Sequence, residues 1–371
     1  METMGIIFSN IYDSKMGVLT EVRTSASIPV GGRYRQIDFT LSSMANSGIK
    51  HIGIITKYNY QSLMDHLGSC QEWDLNLNYR GVCLLPPYST GHNGVYRGKL
   101  EALLNALPVL ESCDQEYVAL ADTNIMAAVD FRKVVNAHIA SGCDVTVVAK
   151  DGVADGKTVC HFAVKADEKG VAKAMSCEYA APADYSASMG MFVMKRQLLI
   201  DTIKTLVPHG YYHLERDFIM NLCNEGKIKL NVYHFEGVAL SSDTVEAYYK
   251  NNMALLDAEV RKSLFHGEVP IYTKVRDEVP TRYGKKCEVA NCMVADGCRL
   301  DGNAENSIIF REVKIEAGAE VKDSVVMQGS VIEAGASVQY AILDKNVTVK
   351  SGTKLLGSPE QPLLIRKGVT V

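Results

Sequence analysis

The last third of the chain repeats itself. Rows NSIIFREVKIEAGAEVK (306–322), DSVVMQGSVIEAGASVQ (323–339) and YAILDKNVTVKSGTKLL (340–356) follow with a period of 17 and no gap. An earlier row, NCMVADGCRLDGNAE (291–305), fits the same frame two residues short. Apolar residues recur at Ile309, Val326 and Leu343, at Ile315, Ile332 and Val349, and at Val321, Val338 and Leu355. Gly318, Gly335 and Gly352 stand at the corner between the last two sets. Six-residue spacing of β-branched residues, three faces per turn, predicts a parallel β-helix whose coils must stack, because each leaves an apolar row uncovered. It is expected over about 287–356, within a C-terminal domain of 287–371.

Upstream the pattern is different. Candidate strands at Met4–Phe8, His51–Thr56, Gly81–Leu85, Tyr117–Ala121 and Val145–Lys150 alternate with candidate helices at Phe39–Ser47, Gln61–Leu67, Gly98–Leu110 and Phe131–Ile139. Such alternation makes an α/β domain with a mostly parallel sheet covered by helices. Further strands are expected at Cys160–Lys165, Met189–Lys195 and Lys227–Phe235. A helix over Asp243–Asp257 opens on a capping box, Asp243 with Glu246. The α/β domain thus spans 1–257, and 258–286 is a connector rich in Lys, Arg, Glu and Pro.

Composition excludes several classes. A net charge of −4 gives no bulk attraction to nucleic acid or an acidic membrane. No run approaches the 18 apolar residues of a membrane span, and the start Met1-Glu2-Thr3-Met4 lacks the basic opening of a secretory signal. A cytoplasmic protein without nucleic-acid or membrane partners is expected. The ten cysteines are scattered with no C-x-x-C, so neither a zinc site nor a redox motif is expected.

An α/β domain followed by a short β-helix points to sugar-phosphate nucleotidyltransferases or to acyltransferases built on hexapeptide coils. The second class typically uses a histidine base in or beside the coils. Here all nine histidines, ending with His266, precede the coils. The stretch Ile28-Pro29-Val30-Gly31-Gly32-Arg33-Tyr34-Arg35-Gln36-Ile37-Asp38-Phe39, followed by Asn46-Ser47-Gly48-Ile49, resembles glucose-1-phosphate adenylyltransferase (ADP-glucose pyrophosphorylase), an enzyme of bacterial glycogen synthesis. The resemblance continues through Glu72-Trp73-Asp74-Leu75, Tyr96-Arg97-Gly98, Ser188-Met189-Gly190, Pro270-Ile271-Tyr272-Thr273 and Val294-Ala295-Asp296-Gly297-Cys298. It implies a Rossmann-like nucleotidyltransferase domain with a mixed, mostly parallel sheet, then a left-handed parallel β-helix.

The implied reaction joins glucose-1-phosphate to the α-phosphorus of ATP with loss of pyrophosphate. An anion must approach an anion, so the site needs backbone N–H groups, Mg²⁺ with carboxylate ligands, and basic residues on the sugar phosphate. The family places a Gly-Gly-x-Gly-x-Arg loop after the first strand, where glycine lets the backbone lie against phosphate. This chain has Asn10-Ile11-Tyr12-Asp13-Ser14-Lys15 there. Ile11 adds bulk, and Asp13 is expected to face the phosphates with a repulsion of about 4 kcal/mol at ~4 Å and dielectric ~20. Lys15 keeps a positive charge. The family's Arg-Ala-Lys-Pro lysine is Ser25, its Glu-Lys-Pro lysine is Tyr179 beside Glu178, and its second metal aspartate is Ser241. Asp122, at a strand end, is the heir of the first metal aspartate.

These losses on a kept scaffold resemble the noncatalytic, D-type regulatory subunit of the family. The resemblance implies no cofactor of its own, with Mg²⁺ in a catalytic partner subunit, and assembly into a hetero-tetramer. Residual ligand contacts are expected at Gly98, Asp122, Glu178, Ser188 and Gly190. Arg23, Arg33 and Arg35 are candidates for binding the phosphate of a sugar-phosphate or AMP effector, since guanidinium groups hold phosphate bidentately, and Arg366-Lys367 could complete the cluster. Two readings stay beside this one: an active sugar nucleotidyltransferase with an atypical loop, and a stand-alone metabolite sensor.

Overall fold

The computed structural model describes residues 2–10, 13–76, 81–87 and 96–371. Two compact units emerge: Met1–Ile11, Phe39–Tyr58 and Gly68–Ala239 form the first, and Tyr12–Asp38, Asn59–Leu67 and Leu240–Val371 the second. This partition differs from the linear division at 257 and 286. The reason is a set of bonds inside the second unit. Arg23 pairs with Asp344 at 2.8 Å, the Tyr248 hydroxyl donates to Pro29 O at 2.5 Å, and Gly31 N–H donates to Asn252 Oδ1 at 3.1 Å.

The first unit is built on a nine-stranded mixed sheet. Its central strand, Thr3–Phe8, pairs in parallel with Ile52–Ile55 on one side and Tyr117–Asp122 on the other. Thr3–Phe8 is buried throughout, and Tyr117–Asp122 is buried except for the half-buried Tyr117, as strands covered on both faces should be. Ser186–Lys195 runs antiparallel to Tyr117–Asp122 and to Val145–Lys150, which makes the sheet mixed. A strand at Ala172–Ala180 went unread in the sequence because its side chains are mostly half-exposed and barely alternate. The helix expected over Gly98–Leu110 breaks into Lys99–Leu103, a 3-10 turn at Leu104–Ala106, and Leu107–Ser112. Pro108 accounts for the break, since it has no N–H for the helical ladder and is tolerated only in a first turn.

In the second unit the coils form three parallel five-stranded sheets, consistent with a left-handed parallel β-helix. The register follows the sequence columns: Ile309 opposite Val326 opposite Leu343, Ile315 opposite Ile332 opposite Val349, and Val321 opposite Val338 opposite Leu355. Strands begin at Arg282–Tyr283 and end at Leu363–Ile365, longer than the expected helix at both ends. Gly318, Gly335 and Gly352 have φ of 75°, 70° and 74°, the left-handed region that favours glycine. The other two corners use the same region with fewer glycines: Asn291, Asn306, Asp323 and Tyr340 at one, and Gly297, Glu312, Gly329 and Asn346 at the other. The short first row loses its two residues between Leu300 and Ala304. There the backbone at Gly302 runs so close to the next coil that a Cβ would lie 2.4 Å from Glu316 O.

A helix at Val245–Ala254 replaces the one expected over Asp243–Asp257. Its cap is Thr244, whose hydroxyl accepts from Ala247 N–H at 3.2 Å, rather than Asp243, which accepts from Ser241 Oγ at 2.6 Å. The connector carries its own helix, Ala258–Phe265, capped by Asp257.

Candidate functional site

A cleft in the first unit gathers Phe8, Asn10, Lys57, Arg97, Gly98, Lys99, His161, Glu178, His213 and Glu215, with about 670 Å³ of space. The parallel pairing of Phe8 with Asp122 brings the end of the central strand beside the strand-end aspartate. Lys99 enters at the first turn of its helix. Gly98 lets that turn approach so closely that a Cβ there would lie 2.3 Å from Tyr212 O, which in turn accepts from Leu100 N–H at 2.9 Å. Glu215 stands in a π-helical segment, Leu214–Met220, anchored where Asp217 Oδ2 accepts from Tyr212 and His213 N–H. Such widened turns recur at functional sites.

These elements converge on one ammonium group. Lys99 Nζ donates to Asp122 Oδ2 at 2.7 Å and to Glu215 Oε1 at 2.5 Å, and all three side chains are buried. His161 Nε2 lies 3.4 Å from Glu215 Oε1. Burial opposes the charge of Lys99, but the two carboxylates outweigh it and hold the ammonium protonated above its ordinary range. Burial likewise opposes ionisation of Glu215, yet Lys99 and His161 keep its carboxyl well below the usual range. Asp122 is pushed up to about 6 by burial, against the pull of Lys99 and with the repulsion of Glu215. Among the described residues, its Oδ1 is buried without a hydrogen-bond partner.

A second site lies wholly in the second unit. Arg33, Arg35, His66, Lys274, Arg276, Arg311 and Lys345 line a shallow pocket, and among the described residues no acidic side chain stands in its wall. Arg35 donates to Ser27 O, Ser62 O and Ser62 Oγ, which aims it from below. His66 is joined at 2.5 Å to Asp38, which also accepts from Arg35 N–H. Arg311 has Asp296 at 3.5 Å, while its Nε and one terminal nitrogen make no hydrogen bond although buried. Crowding of like charge is visible in the titration. Burial, Arg35, Arg23 and Arg276 push the Lys345 ammonium down to about 7 against the pull of Asp344, and burial lowers Arg35 to about 10.

The residues singled out in the sequence divide between these places. Asn10 lines the cleft, its Oδ1 accepting from Ser9 Oγ and Lys57 N–H; Ile11 lies outside the described residues. Asp13, expected to face the phosphates, is not among the residues lining the cleft; it is buried in the second unit, where Oδ1 accepts the backbone N–H of Ser25 at 2.8 Å. Asp13 and Ser25, read as separate losses, are therefore one local structure. Lys15 is exposed on a 3-10 turn, and Ser241 is exposed and donates to Asp243. Glu178 reaches the cleft with φ of 54°, 3.9 Å from His161, while Tyr179 is 72 % exposed. Gly190 has φ of 65°, and a Cβ there would lie 2.2 Å from Asp122 Oδ2, so close packing on Asp122 explains this glycine. Ser188 Oγ accepts from Gly190 N–H in the bulge that makes this approach. Arg33 and Arg35 share the basic pocket, whereas Arg23 is buried against Asp344, and Arg366 pairs with Glu21.

A nucleotidyl transferase family profile matches residues 12–257, and a GlmU-like C-terminal hexapeptide profile matches 273–361. The chain is 35% identical over 372 residues to the glycogen biosynthesis protein GlgD of Bacillus subtilis (strain 168), covering 99% of this chain and 96% of that protein. It is 37% identical over 371 residues to GlgD of Geobacillus stearothermophilus, covering 98% and 96%. The chain belongs to the glucose-1-phosphate adenylyltransferase family, among its GlgD-type members. The glucose-1-phosphate adenylyltransferase of Geobacillus stearothermophilus is 32% identical over 317 residues, covering 83% of this chain and 80% of the enzyme.

The catalytic members of this family are expected to hold Mg²⁺ on carboxylates, and the cleft does not fit one. Lys99 already occupies the face of Asp122 that a cation would take. A divalent ion ~4 Å from that ammonium would meet a repulsion of about 8 kcal/mol at dielectric ~20. Among the described residues, no group of three or more His, Cys, Asp or Glu is disposed to hold a metal.

Sequence reading missed Lys99, Glu215 and the β-helix side of the basic pocket. Signals for them exist. Lys99 falls on the buried face shared by Leu103, Ala106 and Leu110, where a charge is out of place. Arg311, Gln328 and Lys345 occupy one column of the 17-residue repeat, and all three line the pocket.

Proposed function

We propose that this chain is the regulatory, catalytically impaired subunit of a glucose-1-phosphate adenylyltransferase in glycogen biosynthesis. It works beside a catalytic homologue that holds Mg²⁺, in a hetero-tetramer, and receives a sugar phosphate or AMP in its basic pocket. The observation that carries this reading is the contrast in charge. In the cleft the buried ammonium is matched by carboxylates, so it has little to offer a triphosphate. In the pocket six Lys and Arg side chains converge while no Asp or Glu is among the described lining residues; Arg311 leans on Asp296 at 3.5 Å from outside the wall, so positive charge is in excess and an anion is what the site would take. The names of the GlgD relatives support the glycogen assignment.

Three measurements test the reading together. The purified chain should form little or no ADP-glucose from ATP, glucose-1-phosphate and Mg²⁺. Co-expressed with a catalytic homologue that keeps the loop glycines, it should elute as one heteromeric peak whose mass fits a tetramer. That complex should differ from the catalytic subunit alone in maximal rate or in response to sugar phosphates and AMP. Robust turnover by the chain alone would support the active-enzyme reading instead. Anion binding with no partner at micromolar concentration would support a stand-alone sensor.

A further inference from the structure

The wall of the basic pocket includes a piece of chain that the coils do not hold. Residues 266–281 belong to no helix or strand and run from the end of the connector helix at Phe265 to the first coil strand at Arg282. The approach is anchored, because Val269, Ile271 and Thr273 alternate inward and are buried. The exit is anchored too: Val279 O accepts from Gly297 N–H at 2.7 Å, and Thr281 Oγ1 donates to Ala295 O at 2.7 Å. In between, the chain lies open. Val275 is 62% and Val279 69% exposed, and every residue of 275–280 is exposed. A short stretch with so few buried contacts opens locally at low cost. Yet it carries two of the pocket's cations, Lys274 and Arg276.

We infer that 274–278 form an anion-dependent strap, partly open in the free chain and drawn down by Lys274 and Arg276 when a sulfate or phosphoryl group enters the pocket. The inference rests on the reading of the pocket as an anion site. Two repulsions loosen the strap in the free chain. After burial, the charge of Arg276 is among those that hold Arg35, Arg311 and Lys345 below their ordinary values, so the strap and the fixed wall carry like charge. At the outer end Glu278 meets Glu312: a Cβ on Gly297 would lie 3.4 Å from Glu278 Oε2 and 3.5 Å from Glu312 Cγ. Lys274 donates to Asp65 O, a carbonyl that leaves its charge uncompensated. An oxyanion reverses the first repulsion, because strap and wall then share one negative group. A ligand shifts an equilibrium by its difference in affinity for the two states, and only the closed state offers it Lys274 and Arg276. Occupancy of the pocket thereby changes the surface that this unit presents.

The test is thermolysin digestion of the full chain, with calorimetry to read sulfate binding. Thermolysin cuts on the N-terminal side of Val, so the bond between Lys274 and the exposed Val275 reports opening of the strap, and mass spectrometry locates the cut. At constant ionic strength, saturating sulfate should slow this cut several-fold, with half the effect at the concentration that half-saturates the pocket. Chloride should leave the rate unchanged. Arg276→Gln, at an exposed residue, should fold, bind sulfate several-fold more weakly, and lose most of the protection even when saturated. Sulfate binding that leaves the cut as fast as before would overturn the strap while the anion pocket stands. So would full protection in the saturated Arg276→Gln chain, or a bond that resists cleavage without sulfate. If calorimetry showed no sulfate binding, the pocket reading would fall and the strap with it.

Discussion

The cleft and the basic pocket contain similar side chains and reach opposite electrostatic ends. In the cleft, Lys99 is enclosed by Asp122 and Glu215, and Arg97 is tied to Glu101 and laid over the Tyr212 ring. In the pocket, Arg33, Arg35, Lys274, Arg276, Arg311 and Lys345 line one wall with no acid among the described lining residues. A buried charge is stable only when something opposite compensates it. The cleft is compensated from within. The pocket keeps an excess of positive charge, and Lys345 is lowered there by burial first and then by Arg35 and Arg23. The lesson is that counting basic residues says little about anion binding; what matters is which of them already have a carboxylate.

Arg23 offers the largest test of that distinction. Its sequence neighbourhood groups it with Arg33 and Arg35, but its guanidinium is sealed against Asp344, with side chains 2% and 0% exposed. Asp344 also accepts from Lys345 N–H at 2.7 Å, so Arg23 braces the corner that presents Lys345. Arg23→Ala should therefore cost about 3–5 kcal/mol of stability, since it strands a buried carboxylate. Arg33→Ala, at an exposed residue, should stay within ~0.5 kcal/mol. Denaturant unfolding of the two variants decides this. Equal stabilities would mean that the buried pair is not what separates these arginines.

The cleft has its own structural counterpart in Gly190. A methyl group there meets Asp122 Oδ2 and forces φ of 65° on a residue that resists it. Gly190→Ala should cost about 1–3 kcal/mol, the usual range for overpacking a core. In the Asp122→Ala background the same substitution should cost less, because the atom that the methyl meets is gone. Because Asp122→Ala also strands Lys99, the test is additivity: the double variant should lose less than the sum of the two single losses, and strictly additive losses would place the strain elsewhere.

For the pocket, Arg311→Ala should weaken sulfate or sugar-phosphate binding by about tenfold, the effect of one charge-assisted hydrogen bond. Its buried nitrogens lack hydrogen-bond partners, so little folding stability should follow them. Calorimetric titration reads the affinity. Unchanged binding would remove the β-helix column from the site and leave the pocket to Arg33 and Arg35.

The sequence disclosed the fold better than the sites, and for a physical reason. A β-helix is a local periodic object, so the columns through Ile309, Ile315 and Val321 could be read without knowing any contact. Two of its three corners were harder to see, because Asn, Asp, Glu and Tyr hold the left-handed conformation there as well as glycine. Ion pairs are not periodic. Lys99 and Glu215 are separated by 116 residues, and Arg23 and Asp344 by 321. What the sequence did offer was misfit: Asp344 stands in the apolar column of Phe310 and Met327, as Lys99 does on a buried helix face. Asp13 fell the other way. Its charge was legible, but the Ser25 N–H that absorbs it was not.

The smallest expected effect concerns Lys345 and sets the pH at which the two regions diverge most. Its folded-state pKa is pushed down to about 7, by burial first and then by Arg35 and Arg23, from an ordinary value of 10.5. Between those two values the unfolded chain binds more protons than the folded one, so this group makes stability rise with pH across the window from about 7 to 10.5. Anion binding should run in the opposite direction. A bound anion favours the ammonium form, so binding takes up a proton and weakens as pH rises through about 7. Sulfate is the suitable probe, because its charge is constant here while a sugar phosphate titrates near ~6. Its affinity should fall several-fold from pH 6 to pH 8.5. Lys345→Arg, charged throughout, should flatten that dependence, and Lys345→Met should bind weakly at every pH while losing the rise in stability above neutrality. An unmodified chain whose sulfate affinity is flat over this range would show that Lys345 does not titrate with the ligand. The pocket's selectivity would then rest on its arginines alone.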